Sequence, residues 1–373
     1  EDTTYSSDSS DTQYVFTVDD KSAVITNNST FTRSRKLFIS SDAERTGVSL
    51  TIHSGSTITT TTNSNTIFTD GADFTITNSG TINADTSKAI NVSKSDGVSI
   101  TNNSGGVISS DGNTILGDAG TGADNTTIVN SGKIFSTESG SESSAIVVAD
   151  NDTGTTITNN AGGEIYSEGS SSTIILGVSS TLTNSGSIKN NKSVDTNVIQ
   201  LKGNNNTVTL KDGGIVVGMI KAKSGTTGNT LKLNHGVGKS YYYDTSGTFT
   251  LEDLDGNQVV KGSAGSVGQG GSEILDELLG TKSLNIRQSL SKYKNAEEDL
   301  KENQSWGEIN FSTFKRKQNN QNLSLGFNSA DLTINLMYPD HGKDFILSLG
   351  KGNQKFTKDY GVTRHFLHTG FFF

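Results

Sequence analysis

The sequence predicts an all-β protein, in which a right-handed parallel β-helix (a solenoid) is followed by a short helical segment and then by antiparallel, β-barrel-like strands. Three observations predict this class. The motif "TITNSGTIN" at residues 75–83 recurs through the first two thirds of the chain. Residues 272–304 have the composition of a helix. After Trp306, apolar and polar residues alternate in short runs separated by turn sequences.

The composition favours an elongated fold with a thin core. Only 31% of the 373 residues are hydrophobic, and the chain has 42 glycines and one proline, so a compact globule would lack core. The apolar residues are mostly β-branched or aromatic and recur at fixed positions, whereas those of a disordered polar tract do not. We therefore prefer a repeat protein over a low-complexity linker.

Charge and cysteine content limit the partners. The net charge of −9 argues against nucleic acid, because phosphate binding needs a basic face. The absence of cysteine excludes disulfides and thiolate metal sites and is compatible with export. The first 13 residues contain no apolar signal core, so we expect a secretory signal to be absent or removed. No apolar run is long enough for a membrane-spanning helix.

The repeat has a solenoid period. The key glycine of each copy recurs at intervals of 24 to 30 residues, which is typical of solenoids. Each unit also contains a second apolar element, such as "AINV" from Ala89. Helical repeats of this length need helix-forming residues, whereas these units consist of Thr, Ile, Val, Ser, Asn and Gly. Each repeat is therefore predicted to be one coil of short strands.

The end of the motif is predicted to form a corner. In Thr75-Ile76-Thr77 the alternation places Ile76 inward. Asn and Gly follow, and both adopt positive φ at little cost. Stacked coils would align these residues as ladders. The predicted structural corner residues are Asn78, Gly80, Asn102, Gly105, Asn130, Gly132, Asn159, Gly162, Asn184 and Gly186. The paired glycines at 105–106 and 162–163 predict a one-residue bulge.

Changes in composition predict six segments. A polar N-terminal segment spans 1–13, the β-helix repeats 14–229, a closing unit 230–261, a glycine-rich hinge 262–271, a helical linker 272–304 and a partial β-barrel domain 305–373. The closing unit is predicted to cover the last strand edges with Tyr241, Tyr242 and Tyr243. Ser272 is the predicted N-cap of the linker helix, which Gly280 is expected to break. The alternative is a surface helix packed on the solenoid.

The C-terminal region is predicted to form about five short strands, with "NSAD" at 328–331 as one of the turns between them. Leu332, Ile334 and Leu336 alternate with Thr333 and Asn335, so each strand has one apolar and one polar face. Outer-membrane barrels have this pattern. A soluble β-sandwich has it too, and periodicity alone leaves both open.

The order of the parts resembles the autotransporters of the type V secretion family. A repetitive Asn- and Gly-rich β-helix is followed by a closing unit, a helix and an amphipathic β region that opens near Trp306. The resemblance implies an exported passenger at the cell surface of a Gram-negative bacterium, a helix within a barrel pore, and a barrel in contact with outer-membrane lipid.

The size of the predicted barrel departs from the family. The family's barrel has twelve strands, whereas 68 residues remain from Trp306. We therefore expect either a truncated barrel or one shared by three chains, which leaves the oligomeric state open. Residues 283–303 lack a heptad pattern, which favours truncation.

No catalytic, cofactor or metal site is predicted. Some autotransporter passengers are serine proteases, but the nearest string here, "GDAG" at 117–120, has Ala119 where the serine would stand. Acidic residues in longer loops form a weaker candidate, either for a carbohydrate-cleaving cluster or for calcium binding by residues 149–154. They are Asp118, Asp124, Glu138, Glu142, Asp150 and Asp152. We interpret them as solvated loop charges.

Three functions remain open. The first is a surface-displayed, adhesin-like solenoid that binds a receptor or a glycan, since the repeats preserve shape without a reactive group. The second is a structural surface fibre or coat protein, which would assemble into filaments. The third is a polysaccharide-acting enzyme, which would depend on residues 118–152.

Overall fold

The computed structural model describes most of the chain in two compact units. The described residues are 3–5, 14–16, 19, 21–34, 36, 38–40, 45–117, 123–141, 143–192, 196–211, 213–234, 241–243, 245–255, 259–261, 266–267, 272–296, 305–316, 327–340, 343–356 and 361–372. The first unit contains the repeats, and the second contains the helix and the C-terminal strands.

The first unit is a parallel β-solenoid, as the sequence predicts. From Ser22–Ile25 to Met219–Ala222, each coil contributes a strand to sheet 1, then one to sheet 2 and then one to sheet 3. Sheet 1 consists of Thr3–Tyr5, Ser22–Ile25, Ser49–Ile52, Thr75–Asn78, Ser99–Asn102, Thr127–Asn130, Thr156–Asn159, Thr181–Asn184, Thr207–Lys211, Thr230–Asn234 and Thr250–Asp253.

The other two sheets follow the same order of repeats. Sheet 2 consists of Thr30–Arg33, Thr57–Thr60, Thr81–Ala84, Val107–Ser110, Lys133–Ser136, Glu164–Ser167, Ser187–Asn190, Ile215–Val217 and Ser266–Val267. Sheet 3 consists of Tyr14–Phe16, Phe38–Ser40, Arg45–Thr46, Ile67–Ala72, Ile90–Asp96, Ile115–Leu116, Ile146–Val147, Ile174–Leu176, Asn197–Leu201, Met219–Ala222 and Thr245–Ser246.

The core consists of apolar ladders, one from each sheet. Ile76 of sheet 1 pairs with Leu50 and Ile100, and Ile82 of sheet 2 pairs with Ile58 and Ile108. All six side chains are buried. Because the strands are parallel and in register, the inward apolar residue of each coil packs against those of the neighbouring coils. A thin core is thereby packed continuously with few apolar residues per strand.

A second, polar row is buried where sheet 2 turns toward sheet 3. Ser110 hydrogen-bonds to Thr114 at 3.0 Å, and Ser167 to Thr173 at 2.7 Å. Asn190 Nδ2 donates to the Ser167 hydroxyl at 3.0 Å. Serine recurs at the fourth position of these strands, which is the sequence signal for this row. We did not predict the row because serine is also common in exposed turns.

The solenoid pairing extends beyond its predicted boundaries at both ends. Thr3–Tyr5, which we assigned to a polar N-terminal segment, pairs in parallel with Ser22–Ile25. Thr230–Asn234 and Thr250–Asp253, assigned to the closing unit, continue sheet 1. Backbone pairing needs no apolar residue, so the polar composition of residues 1–13 did not exclude a strand there. For the same reason, the more aromatic composition from Thr230 onward did not end the parallel pairing of sheet 1.

The closing unit and the hinge contain further strands. Tyr241–Tyr243 pairs with Val259–Lys261 in a separate two-stranded sheet. Ser266–Val267, within the predicted hinge, pairs antiparallel with Ile215–Val217 at the end of sheet 2. The prediction of a flexible hinge is therefore wrong for these two residues, because a glycine-rich segment still has the backbone groups that can cover a sheet edge.

The second unit contains one helix and one antiparallel sheet. The helix spans Ser272–Ala296 without a break, so the predicted interruption at Gly280 is wrong. A helix tolerates a single glycine at a cost of about 1 kcal/mol. Residues 297–304, the end of the predicted linker, lie outside the described residues.

Four strands form the C-terminal sheet, in sequence order: Trp306–Arg316, Phe327–Asp340, Lys343–Phe356 and Gly361–Phe372. We expected about five shorter strands, with "NSAD" at 328–331 as a turn. These four residues instead pair along the strand Phe327–Asp340. Pairing on both sides offsets their weak strand propensity.

Candidate functional site

The predicted corner asparagines form one buried ladder. Asn78, Asn102, Asn130, Asn159 and Asn184 are paired in register in sheet 1, and their side chains are inaccessible to solvent. Each is the last residue of its strand, and none has positive φ. The predicted left-handed conformation is therefore wrong for them. They are inward-facing strand residues at the fourth position, where Ile52 precedes and Leu210 follows the ladder.

Hydrogen bonds connect the ladder in a single direction. The Nδ2 of each asparagine donates to the Oδ1 of the next, at 2.9 Å from Asn78, 2.8 Å from Asn102, 2.9 Å from Asn130 and 2.8 Å from Asn159. Each Nδ2 also donates to one or two main-chain carbonyls. Asn130 Nδ2, for example, donates to Gly132 O in the turn that follows it and to Glu164 O in the next coil. Amides therefore satisfy each other and the turns in a core that excludes water.

The predicted glycines divide into two groups with different requirements. At Gly80, Gly132 and Gly186, φ is not positive, but an added Cβ would lie 2.2 to 2.4 Å from a main-chain oxygen of the preceding coil. Gly105 and Gly162 do have positive φ, at 82° and 84°, and a Cβ on either would meet open space.

The paired-glycine turns are longer than predicted. Asn78 and Thr81 pair with Asn102 and Val107, so two intervening residues face four. The one-residue bulge is therefore wrong, since the extra two residues lie in the turn and both sheets stay in register. Gly106, rather than Gly105, takes the place of Gly80 and lies against Asn102 Oδ1 and Asn78 O.

These two groups predict different costs of substitution. We expect Gly132→Ala to lower the free energy of unfolding by about 3 kcal/mol, because its Cβ would lie 2.2 Å from Gly106 O. Gly105→Ala should cost about 1 kcal/mol, since only its backbone conformation is strained. Thermal unfolding of the full chain, followed by circular dichroism, measures both. If Gly105→Ala lowers the free energy of unfolding more than Gly132→Ala does, the close approach of Gly132 to Gly106 O is not the dominant constraint.

The acidic residues proposed as a catalytic or calcium cluster are each engaged separately where the structure describes them. Asp150 pairs with Lys202 and Lys223, both at 3.2 Å. Burial alone would raise the pKa of Asp150, but hydrogen bonds from Lys223 and Lys202 hold that pKa below its usual value. Glu138 accepts a hydrogen bond from Gly140 N at 2.7 Å. Asp118, Ala119 and Glu142 lie outside the described residues.

Two further aspartates stabilise the backbone. Asp124 Oδ1 accepts from Thr153 N at 2.6 Å, which joins two coils. Asp152 is buried, and its Oδ2 accepts from Ala149 N at 3.2 Å. In the part of the chain that the structure describes, no three His, Asp or Glu side chains lie close enough to hold a metal ion.

The C-terminal sheet has a polar face against the helix. Ser329, Asp331, Thr333, Asn335 and Ser348 are buried there, and sequence reasoning did not predict their burial. On the helix, the Ser289 hydroxyl is the centre of the contact, because it accepts from Asn310 at 3.0 Å and from Asn335 at 2.8 Å and donates to Glu308.

An ion pair and a small apolar cluster complete this contact. Lys292 Nζ lies 2.5 Å from Glu308 Oε1. Tyr293 of the helix and Met337 of the sheet are buried together, with Ile286, Leu290 and Trp306 around them. The helix therefore covers a sheet face that is mostly hydroxyl, amide and carboxylate groups.

The opposite face of the sheet is apolar and exposed. Ile309 pairs with Ile334, and Ile334 with Leu349, so the three form one row across the sheet. Their exposed fractions are 71%, 38% and 44%. Phe311, Leu332 and Leu336 are exposed in the neighbouring rows. Exposed apolar side chains in this arrangement form a contiguous patch, which marks an interaction surface in soluble and membrane proteins.

The fold defines the class of this molecule as a β-solenoid protein with a C-terminal helix and antiparallel sheet. Comparison with protein-family models, with characterised proteins and with solved structures found no match. The features that bear on function are therefore the two faces of the C-terminal sheet and the outer surface of the solenoid.

The helix Ser272–Ala296 has a mixed composition. Among the residues that the structure describes, no helix has both the length and the apolar character needed to cross a membrane.

Proposed function

We propose that the protein is an autotransporter-like surface protein, in which the solenoid is a non-catalytic binding passenger and the C-terminal strands anchor it in the outer membrane. The observation that carries this proposal is the distribution of polarity across the C-terminal sheet. Its buried face is polar and faces a helix, whereas its exposed face is apolar.

Water favours the opposite distribution. In a soluble protein, a helix packs on the apolar face of a sheet because burial of apolar surface drives folding. Here Asn335 and Ser348 are under the helix, while Ile309 and Phe311 are each 71% exposed. A sheet surrounded by lipid has its apolar side chains outward and its polar side chains inward, which is the arrangement of an outer-membrane barrel wall.

The edge of the apolar face also fits a lipid boundary. Toward one end of the strands, the outward positions change from Phe311 and Leu332 to Thr313 and Ala330, and then to Lys315 and Asn328. A lysine at the end of an apolar band lies where its amine reaches the interface with water.

The solenoid supports a binding role. Its core is occupied by side chains along the ladders, and the described acidic residues are dispersed among separate contacts. What the repeats provide is a long, regular outer surface of Thr, Ser and Asn side chains, which suits recognition of a receptor or a glycan. We therefore favour adhesion over a structural fibre and over a polysaccharide-acting enzyme.

The membrane assignment predicts the effect of one charge in two places. Ile334→Lys puts an amine in the centre of the apolar row. If lipid surrounds this row, the charged amine should destabilise the folded protein by about 2–4 kcal/mol. We expect this variant to be lost from the outer-membrane fraction of expressing cells. Thr313→Lys, on the same face near Lys315, should fractionate like the original protein.

The two variants are compared by fractionation and immunoblotting, together with a chain that ends at Gly271. The shortened chain should leave the membrane fraction, because it lacks the helix and the C-terminal sheet. If Ile334→Lys and the shortened chain stay with the membrane as the original does, the anchor assignment is wrong.

A further inference from the structure

One row on the outward face of sheet 2 changes from small polar side chains to aromatic ones. In register, it contains Asn83, Ser109, Phe135, Tyr166 and Lys189. Consecutive strands of a sheet lie about 4.8 Å apart, so these side chains follow one another along the sheet.

The two rings of this row stack on each other. The Phe135 and Tyr166 centroids are 4.6 Å apart, and their planes differ by 3°. Lys189 Nζ lies 5.4 Å from the Tyr166 centroid, so it covers that end of the stack. Phe135 is the other end, and both rings are partly exposed.

A step is formed where Phe135 meets Ser109. The Ser109 side chain is short and buried, and its hydroxyl donates to Asn83 Oδ1 at 2.8 Å. A benzyl side chain extends several ångströms further from the sheet than a hydroxymethyl group. The outer part of the Phe135 ring therefore stands above a floor of hydroxyl and amide groups. We call Asn83, Ser109 and Phe135 the ledge.

Another outward ring, that of Phe68, has a different environment. Phe68, in sheet 3, has Lys36 Nζ 4.0 Å and Lys94 Nζ 5.9 Å from its centroid. Cations already cover that ring, whereas Phe135 has a small hydroxyl side chain beside its free face. Phe68 is therefore a matched control for an exposed aromatic group without a ledge.

The charges near the ledge favour an uncharged ligand. Lys133, in the adjacent outward row, pairs with Glu164 at 3.5 Å. Asp85 accepts from Asn83 Nδ2 at 2.6 Å, and Asp111 follows the same strand as Ser109; both carboxylates are exposed. Burial, with the charges of Glu168 and Glu164, raises the pKa of Tyr166, so its phenol stays neutral. Carboxylates beside the floor would repel an anionic polysaccharide.

We propose that the ledge binds one uncharged sugar unit of a glycan. The C–H face of the sugar ring packs on Phe135, and its hydroxyl groups exchange hydrogen bonds with Ser109 and Asn83. An aromatic side chain beside a few polar groups that fix orientation is the usual composition of a small-ligand site. The inference rests on the proposed binding role of the solenoid and assigns that role a ligand class and a place.

The test uses the full chain in a zwitterionic detergent without a sugar headgroup. The probes are neutral hexasaccharides of glucose, mannose, galactose and N-acetylglucosamine, with heparin as the anionic comparison, and affinity is measured by isothermal titration calorimetry. We expect at least one neutral probe to bind. Phe135→Ala should weaken that binding at least tenfold, and Phe68→Ala should leave it unchanged.

A second variant separates binding from stability. Ser109→Phe places a third ring in the row, where the sugar would lie, and adds a stacking partner for Phe135. We expect this variant to lose binding while its melting temperature is unchanged or higher. The ledge is excluded if no neutral probe binds, if heparin alone binds, or if affinity survives both Phe135→Ala and Ser109→Phe.

An adhesion assay with cells that display the protein separates a failure of the ledge from a failure of the proposed function. If cells displaying the original protein and Phe135→Ala adhere equally to a glycan-bearing surface, the ledge is wrong and the binding role stands. If the original protein is not displayed at all, the autotransporter proposal fails. Calorimetry on the purified chain then still shows whether the ledge binds a neutral glycan.

Discussion

Ile128→Asp is expected to lower the free energy of unfolding by several kcal/mol and to reduce the amount of protein displayed on cells. Ile128 is 1% exposed and pairs with Ile100 on one side and Ile157 on the other. A carboxylate at this position would be surrounded by apolar side chains, so the coil must open or the group must take up a proton.

The neighbouring residue provides the control. Thr127→Asp adds the same charge on the outward side of the same strand, where Thr127 is partly exposed, and should change stability by about 0.5 kcal/mol or less. Protease sensitivity of the purified chain and antibody labelling of intact cells measure the two effects. Equal behaviour of the two variants would refute the inward assignment of Ile128.

Asn130→Leu is expected to destabilise the solenoid by about 3 kcal/mol or more, although leucine has nearly the same size. The change removes the acceptor of Asn102 Nδ2 and of Gly132 N and the donor to Asn159 Oδ1. Each buried polar group left without a partner costs about 1–3 kcal/mol. Leu210 occupies the same position beyond the ladder, which shows that the shape of leucine fits this part of sheet 1.

A surface asparagine is the matched control. Asn160 is partly exposed, and its side chain donates to the Ser131 hydroxyl at 2.9 Å. Asn160→Leu should cost about 1 kcal/mol or less, because water replaces that hydrogen bond. Urea unfolding followed by circular dichroism compares the two. Similar midpoints would mean that the ladder contributes no more than an exposed hydrogen bond.

The internal repeats made the solenoid predictable. A spacing of 24 to 30 residues, with one β-branched residue between outward threonines, is satisfied by stacking each unit on the next. Residues such as Ile76, Ile82 and Ile128 are buried as the alternation predicts. The predicted helix break at Gly280 and the predicted turn at "NSAD" are wrong because local propensity is weak compared with the pairing and packing of the whole helix or strand.

The roles of the corner residues could not be read from the motif. "NSG" is equally typical of an exposed turn, and local chemistry predicts positive φ for Asn and Gly there. The actual requirement at Gly132 is the carbonyl of Gly106, which belongs to another coil. Likewise, the amide of Asn130 is bonded to amides 28 and 29 residues away. These contacts exist only after the coils have stacked.

The sequence by itself determined that this chain stacks as a β-solenoid and that its last strands have one apolar and one polar face, because periodicity is a local property that repeats or alternates along the chain. Only the tertiary structure decided which faces are covered. The alternation of Leu332 to Met337 is the same whether the apolar or the polar side is buried, and the position of the helix buries Asn335 and leaves Ile334 exposed. The choice of face depends on contacts between distant residues, and the proposed function follows from that choice.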